Sequence, residues 1–237
     1  MTDELCLYGF PRSTYVNVAR LVLLAKGVPF DFHDTETEMY TAAHEARHPF
    51  GRVPVLRHSD FWLHETIAIA LYVDERFDGP PLQPADARRR AVGRQWMSSL
   101  MSYYYPCMIH HLVHERVVFA ELGIEPDESL IAEALPSVER ALRVMERRLG
   151  ESAFLADDAA TLADYFLLPT LIALGFTAEG QALLSRCPLV VGWLARMAAL
   201  PAAITLRQAL PPRTPIEHAR RWTVDHRPAP RRQIAAR

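Results

Sequence analysis

The sequence predicts an α/β domain followed by an all-α domain, on three observations. In the first 77 residues, short apolar runs alternate with segments of helical periodicity. The segment DGPPLQP at 78–84 then places three prolines and a glycine where neither a helix nor a strand can continue. Beyond Pro84 the apolar residues recur at spacings of three and four. We therefore assign 1–79 and 84–210 to the two domains and 211–237 to a Pro- and Arg-rich tail.

The first domain opens with a strand, a helix and a second strand. The apolar run from Leu5 to Tyr8 is typical of a buried strand, and it ends at a glycine and a proline. Helical spacing of apolar residues follows, and Lys26 and Gly27 mark the end of that helix. The alternating segment FDFHD is predicted to form the second strand. Two strands joined through a helix are expected to be parallel, with a right-handed crossover.

A hairpin and a helix complete this domain. The polar segment from Thr35 to His48 has no clear period, and we expect a loop with at most one helical turn. Two apolar runs at 53–56 and 61–63, separated by a polar linker, predict an antiparallel hairpin. A helix is predicted over 65–77, which gives the order βαβ-ββα.

The second domain is predicted to contain helices only. Apolar residues from Val92 to Leu112 mark a long helix, which Pro106 is expected to bend. A second helix ends near Leu149, and its beginning is left open by a proline at 136. Thr161 and Asp164 resemble a capping box at the start of a third. The last predicted helix covers 189–200, and the tail after 210 is expected to be a surface arm or disordered.

The composition excludes several classes of partner. Half of the 237 residues are apolar, and the net charge is only -2. Such a chain has no strong field to attract phosphate backbones or anionic lipid, so we expect neither nucleic acid nor a membrane as partner. No basic leader and no apolar run of about 18 residues indicates secretion or membrane insertion. Cys6, Cys107 and Cys187 are too far apart for a disulfide framework or paired zinc ligands, so we expect a reducing, cytoplasmic location.

Three motifs resemble segments of the cytosolic glutathione S-transferase family. They are YGFPRS at 8–13, HPFGRVPVL at 48–56 and HETIAIALYVDERF at 64–77, in the family's order and at its usual separations. The resemblance covers roughly 4–205 and is greatest for the serine-type classes, as in a phi/theta-like bacterial-type member. It implies a thioredoxin-like glutathione-binding domain followed by a helical domain that shapes a pocket for an electrophile. It also implies glutathione as co-substrate, no metal, and a homodimer that packs one first domain on the partner's helical domain.

The resemblance assigns residues to two parts of glutathione. Val53 and Pro54 match a Val-Pro pair whose cis peptide bond exposes the backbone to the cysteinyl part, which can pair there like a short strand. Glu65 and Thr66 match the residues that hold the γ-glutamyl group, the carboxylate facing the ammonium and the Thr66 hydroxyl and amide receiving the carboxylate. Without the surrounding motifs, these residues would be read as a strand that begins with proline and as a helix cap.

Ser13 stands where serine-type members place the hydroxyl that supports the glutathione sulfur. A free thiol has a pKa near ~8.5, and the thiolate is the nucleophile, so the anion needs stabilisation. A hydroxyl at a helix N-terminus can supply it by donating a hydrogen bond. Thr14, next in the chain, is the alternative donor.

The glycyl carboxylate and the electrophile are assigned less directly. Met39 and Tyr40 stand where the family often has a cation, so we assign the glycyl end to Arg52, and secondarily to His48. The resemblance implies an electrophile pocket lined by four residues: Phe10, Arg12, Tyr104 and Met108. The electrophile itself stays open, as do glutathione-dependent reduction, dehalogenation and isomerisation.

Three other functions compete with this interpretation. Four residues would share a helical face at a spacing compatible with a metal site: Cys107, His110, His111 and His114. A thiol-disulfide oxidoreductase would need a reactive cysteine, but the loop after the first strand carries Ser13 and Cys6 lies inside that strand. The third is a non-catalytic interaction module, because a fold can be kept in a protein that has lost its catalytic activity.

Overall fold

The computed structural model describes residues 4–211 and begins with the predicted strand-helix-strand unit. Strand β1 is Leu5–Gly9, helix α1 is Thr14–Lys26 and strand β2 is Asp31–Asp34. The two strands are parallel, with Leu7 opposite Phe32. Helix α1 ends at Gly27 in the left-handed conformation (φ 69°), as the Lys-Gly signal predicts.

The predicted hairpin and third helix complete the sheet. Strands β3, Val55–His58, and β4, Phe61–His64, are antiparallel, and the strand order in the sheet is β2-β1-β3-β4. Helix α3, Thr66–Arg76, packs beside α1 over the sheet. Leu7, Leu56 and Ile69 are completely buried between the sheet and these helices. The βαβ-ββα prediction is therefore confirmed.

The segment 35–48 is more ordered than the sequence predicts. It contains a 3₁₀ turn at Glu36–Glu38 and a separate helix α2 at Ala42–Arg47. The Thr41 hydroxyl caps α2 by accepting a hydrogen bond from the His44 amide at 3.3 Å. The expectation of a loop with at most one turn is wrong here, because this helix depends on its cap and one buried side chain, His44, more than on apolar periodicity.

The long helix of the second domain is present, but Pro106 changes its hydrogen bonding. Helix α4, Ala87–Ser99, continues through two π-helical stretches, Leu100–Tyr104 and Pro106–Phe119. These two stretches and Tyr105 between them, residues 100–119, are called the π segment. The Tyr105 amide donates to the Leu100 carbonyl, five residues back. Pro106 has no amide hydrogen to donate, which favours such a change of register over a simple continuation.

The remaining helices are α5, Glu128–Leu149; α6, Leu162–Leu174; α7, Ala178–Leu184; α8, Pro188–Ala198; and α9, Pro201–Ala209. The capping box of α6 is confirmed, since the Thr161 amide donates to the Asp164 carboxylate at 2.9 Å. Helices α7 and α9 were not predicted. Pro201, expected to end the last helix, instead begins α9, where a missing amide hydrogen costs nothing.

The two parts of the chain share one core. Helix α1 of the first part packs against α6 and α9 of the second, and the buried side chains of both form one continuous cluster. Within residues 4–211, no single helix is long and apolar enough to cross a membrane; α8 and α9 meet that criterion only as a pair bent by 76°. The predicted tail at 211–237 lies outside the described residues, except for its first residue.

Candidate active site

A cavity of about 980 Å³ lies where the loops of the first domain face the π segment, α6 and α9. Its lining is mostly apolar, and it includes most of the side chains that the sequence predicts to act together: Phe10, Arg12, Ser13, His48, Arg52, Val53, Pro54, Glu65 and Thr66. The cavity therefore brings together residues that are up to 56 positions apart in the chain.

Ser13 is the N-cap of α1 and lines this cavity. Its hydroxyl oxygen accepts a hydrogen bond from the Val16 amide at 3.3 Å, and its own amide donates to the Phe10 carbonyl at 3.2 Å. The Asn17 side chain donates to the Pro11 carbonyl at 2.9 Å and holds the same loop. Since the cap uses the oxygen as acceptor, the hydroxyl hydrogen is left to donate.

Thr14 differs from Ser13 in its hydrogen bonding. Its hydroxyl forms a hydrogen bond with the Tyr105 hydroxyl at 3.2 Å, across the cleft. The Thr14 hydroxyl is therefore already engaged with another side chain of the protein. This contact favours Ser13 over Thr14 as a donor to a ligand.

The Val53–Pro54 peptide bond is cis, as the resemblance implies. Both residues line the cavity, and β3 begins directly after them at Val55. Val55 pairs with Tyr8 on β1 and with His64 on β4. The cis bond is thus held at the end of a central strand, facing the cavity.

Glu65 and Thr66 meet the cavity at the start of α3. Glu65 is the N-cap, with φ at 74° and ψ at 117°, a conformation that non-glycine residues rarely adopt. Thr66 is the first residue of α3 and is buried. Strained backbone of this kind persists where the surrounding structure holds it, and it is concentrated at binding sites.

His48 is buried and uncharged near neutral pH. Burial, followed by the nearby His64, His44 and Arg52, lowers the pKa of His48 to about 4. Its Nδ1 accepts a hydrogen bond from the Phe50 amide at 3.3 Å. His48 is thus a neutral hydrogen-bonding group, whereas Arg52 is an exposed cation in the cavity wall.

Two predicted pocket residues do not line the cavity. Tyr104 and Met108 are buried in the core of the helical domain, so their assignment to the electrophile pocket is wrong. Neighbouring residues on a helix point in directions about 100° apart, and a stripe one position away faces the cavity instead. It consists of Met101, Tyr105 and Ile109.

The sequence did contain a signal for this second stripe. Residues 101, 105 and 109 repeat every fourth position, as residues 100, 104 and 108 do, which marked the helix in the sequence. A spacing of four exceeds the 3.6 residues of an α-helical turn and suits the wider π-helical turn. The spacing alone does not tell which of the two parallel stripes is inside the domain core.

The far wall of the cavity carries polar groups that the sequence analysis did not assign to it. His110 and His114 line it, and burial lowers the pKa of each, to about 4 and about 3. Arg12, from the loop after β1, forms an ion pair with Glu121 at 3.1 Å and so connects the two domains across the cleft.

The cysteines do not support the competing chemistries. All three are buried, and burial raises the pKa of each thiol, that of Cys107 to about 11. The Cys107 thiol donates to the Tyr103 carbonyl at 3.1 Å, inside the helical core. Among residues 4–211, no group of three or more potential ligands is placed to hold a metal ion. Neither a metal site around Cys107 nor a reactive cysteine gains support from this arrangement.

Comparison with known proteins gives a consistent result. The models of the glutathione S-transferase N-terminal and C-terminal domains match residues 7–81 and 96–201. Glutathione S-transferase 4 of Zea mays is 31% identical over 214 residues, covering 89% of this chain and 95% of that protein. A probable glutathione S-transferase of Oryza sativa subsp. japonica, GSTF2, is 29% identical over 211 residues, covering 87% and 97%.

Solved structures share the fold. Glutathione S-transferase III in its apo form superposes with a TM-score of 0.81 at 30% identity, covering 90% of this chain and 99% of that one. Glutathione transferase F7 from Populus trichocarpa gives 0.80 at 25% identity, covering 87% and 99%. With a thioredoxin-like first domain, a helical second domain and this level of identity over nearly the whole relative, the chain belongs to the glutathione S-transferase family.

Proposed function

We propose that this glutathione S-transferase binds glutathione along the first domain, with the sulfur beside Ser13, and directs the thiolate at a small hydrophobic electrophile. The observation that carries the proposal is a cavity that joins the N-termini of α1 and α3 to an apolar wall of the helical domain. The polar end suits a charged peptide, and the apolar end suits a hydrophobic co-substrate.

The γ-glutamyl group is assigned to Glu65 and Thr66. Its ammonium would face the Glu65 carboxylate, and its carboxylate would accept hydrogen bonds from the Thr66 hydroxyl and amide at the α3 N-terminus. A helix N-terminus favours an anion, because its first amides lack partners and the helix dipole is positive there. The ammonium would therefore meet a carboxylate, and the carboxylate would meet hydrogen-bond donors at the positive end of a helix dipole.

The rest of the peptide is assigned to the segment before β3. Backbone groups beside the cis Val53–Pro54 bond would pair with the cysteinyl part. Arg52 would hold the glycyl carboxylate as a cation. The low pKa of His48 limits that residue to a neutral hydrogen bond at physiological pH.

Ser13 is proposed to stabilise the thiolate. Its hydroxyl oxygen is engaged as the α1 cap, and its hydrogen can donate to sulfur. About 1.4 kcal/mol of differential stabilisation lowers a thiol pKa by one unit, which is enough to raise the thiolate fraction several-fold at pH 7. The cap position of Ser13 also supports placement of the chain in a serine-type, phi/theta-like class. The bacterial-type assignment stays a prediction.

The electrophile is proposed to occupy the space beside Phe10 and Arg12. Both line the cavity with the apolar stripe of the π segment, so a small hydrophobic molecule would lie against them. Reduction, dehalogenation or isomerisation with glutathione would use the same site. The alternative is a non-catalytic binding role, and the experiment below distinguishes it from catalysis.

A homodimer in the cytoplasm is part of the proposal. Phe50 is 72% exposed, and Phe61 and Trp62 on the edge strand β4 are also exposed, an apolar surface that suits a subunit contact. The three buried, unpaired thiols suit a reducing compartment. Sedimentation of the full chain as a monomer would contradict the dimer.

Substitution of Ser13 tests the proposal. Wild-type protein should be retained on immobilised glutathione and eluted by free glutathione. Ser13→Ala should bind glutathione with little loss of affinity, while the pKa of the bound thiol rises by about one unit or more and turnover at pH 7 falls at least tenfold. The thiolate absorbance followed against pH measures that pKa.

A matched variant separates chemistry from stability. Ser13→Ala also removes a helix cap, which costs about 1 kcal/mol. Thr177 caps α7, because its hydroxyl accepts a hydrogen bond from the Gly180 amide at 3.0 Å, and it does not line the cavity. Thr177→Ala therefore removes a cap away from the site. It should lower stability and leave the thiol pKa unchanged. Wild-type rates for Ser13→Ala at every pH would exclude the proposed role.

A further inference from the structure

The segment 78–84 joins the two domains, and we call it the linker. A buried ion pair lies beside it: the ammonium of Lys26, the last residue of α1, is 3.2 Å from the carboxylate of Asp74 on α3, and the two side chains are only 3% and 6% exposed. The same carboxylate accepts hydrogen bonds from the Leu82 amide at 2.8 Å and from the Gln83 side chain at 3.1 Å. Asp74 therefore ties α1 and α3 to the linker.

The linker is also bonded to the helical domain. The Leu82 carbonyl accepts a hydrogen bond from the amide of Leu162, the first residue of α6, at 2.8 Å, and the Leu82 side chain is buried in the shared core. At Gly79 (φ 123°), an added Cβ would collide with the Lys26 carbonyl oxygen, so the linker runs directly against the end of α1. Continuous contacts therefore join the C-terminal end of α1 to the N-terminal end of α6.

The two helices that these contacts join both line the cavity. Helix α1 brings Ser13, the proposed partner of the sulfur, and α6 brings Leu168 and Ile172 of the apolar wall. Asp74 and Leu82 do not line the cavity themselves. A shift of α6 relative to α1 would change the distance between the sulfur and an electrophile that lies against this wall.

A buried ion pair is a poor device for stability alone. Two charges lose their hydration, and apolar residues of similar volume are often at least as stable in the same place. Charged groups with several directed hydrogen bonds are better suited to fixing one arrangement of the segments that they join. The Asp74 carboxylate has this character, since it receives the Lys26 ammonium, the Leu82 amide and the Gln83 side chain together.

We infer that Asp74 is a positioning residue for the transferase reaction: by holding the Leu82 amide, it fixes α6 and the electrophile wall at the distance from Ser13 that attack by sulfur requires. The inference rests on the proposed function, because it needs a thiolate at Ser13 and an electrophile against α6.

The inference separates two steps of the reaction. Glutathione binding should not depend on the contact, because the residues assigned to the peptide all belong to the first domain. Attack on the electrophile should depend on it, because the electrophile lies between the two domains. Misplacement of reacting groups by about 1 Å can lower a rate by about 100-fold.

Two double variants isolate the contact. Replacement of Asp74 alone would leave the Lys26 ammonium buried without its partner, which strongly destabilises a fold, so both charges are removed together. Lys26→Met with Asp74→Leu removes the charges and the acceptor of the Leu82 amide. Lys26→Met with Asp74→Asn removes the same charges and keeps a side-chain oxygen for that amide.

Benzyl chloride, at saturating glutathione, is the electrophile for the assay. We expect kcat/KM to fall about tenfold or more in the variant with Asp74→Leu, and to stay within about threefold of wild type in the variant with Asp74→Asn. The affinity for glutathione and the pKa of the bound thiol should stay within about twofold of wild type in both. Urea denaturation identifies conditions in which each variant is folded.

Glu146→Leu is the control for a general loss of rigidity. The Glu146 carboxylate on α5 accepts hydrogen bonds from the amides of Leu189 and Val190 at 3.0 and 2.9 Å, so it joins two helices, and none of the three residues lines the cavity. This variant should be less stable than wild type and should keep the wild-type kcat/KM for benzyl chloride.

Equal kcat/KM values for the two double variants would show that the contact serves stability alone, and would overturn the inference. An equally large loss of glutathione affinity would overturn it too, because the contact would then shape the first domain itself. In either case, turnover by the wild type leaves the proposed function in place. A wild type that binds no glutathione, or binds it without consuming benzyl chloride, would contradict the proposed function and the inference with it.

Discussion

Glu65 has a structural position, at the start of α3, and a proposed role in binding glutathione. Its backbone lies in the left-handed region at φ 74°, yet it begins α3 and faces the cavity. A non-glycine residue in this conformation costs of order 1–3 kcal/mol, so a residue chosen for stability alone would be glycine. A binding role for this side chain, as proposed for the ammonium of glutathione, would account for that cost.

We predict that Glu65→Gln weakens glutathione binding by about tenfold or more. The change keeps the shape of the side chain but removes the charge that would meet the ammonium, and hydrogen bonds to charged groups are worth ~1.5–3 kcal/mol. Isothermal titration calorimetry measures the loss. Glu45→Gln, on the exposed side of α2, makes the same chemical change away from the cavity lining and should have no effect. Equal affinity for Glu65→Gln and wild type would contradict the assignment.

At the scale of elements, the position of Ser13 depends on the close approach of α1 to β1. Gly9 ends β1, and a Cβ added there would lie 2.4 Å from Cγ2 of Val16, a completely buried side chain on α1. We predict that Gly9→Ala costs ~1–3 kcal/mol of stability, as overpacking does, and pushes α1 away from β1. Because Ser13 caps α1, turnover should fall as well. Urea denaturation and kinetics measure the two effects.

The control for Gly9→Ala is a second glycine with more space. At Gly192 in α8, the nearest atom to an added Cβ is a guanidinium nitrogen of Arg196 at 3.5 Å. Gly192→Ala should be neutral or stabilising, because alanine favours a helix interior. Val16→Ala introduced beside Gly9→Ala should restore part of the activity, and a failure of Gly9→Ala to affect either measurement would show that α1 is not held by this contact.

For the whole molecule, three histidines with lowered pKa values should make the fold sensitive to acid. Burial, with nearby charges, lowers the pKa of His48 to about 4, His110 to about 4 and His114 to about 3, from 6.5 in the unfolded chain. Between these values the unfolded state binds more protons, so the free energy of unfolding falls as the pH falls from 6.5 towards 4. Each histidine contributes up to about 1.4 kcal/mol per pH unit.

Urea denaturation at several pH values between about 7.5 and about 5 measures this loss. His110→Gln replaces one of these histidines by a neutral side chain and should reduce the slope of stability against pH. A stability that is constant across this range would show that the histidines are solvated in the folded protein.

Local chain chemistry was sufficient to predict the elements that neighbouring residues specify. The strand-helix-strand unit, the hairpin and the Thr161–Asp164 capping box each follow from a motif of a few residues, and each is present. The cis Val53–Pro54 bond was implied only by the family resemblance, and it is present as well. Residues of the first domain that line the cavity were also predicted, through the family resemblance, because each of the three motifs that carry them is a short contiguous segment.

Only the tertiary structure decided what depends on contacts between distant elements. The sequence showed two parallel stripes on the long helix, but the packing of the π segment on its neighbours decided that Tyr105 faces the cavity and Tyr104 the core. The charge of His48 is likewise set by burial among groups from other parts of the chain. The physical reason is the range of the interactions: caps and turns act within a few residues, whereas burial and helix orientation are settled by everything packed around them.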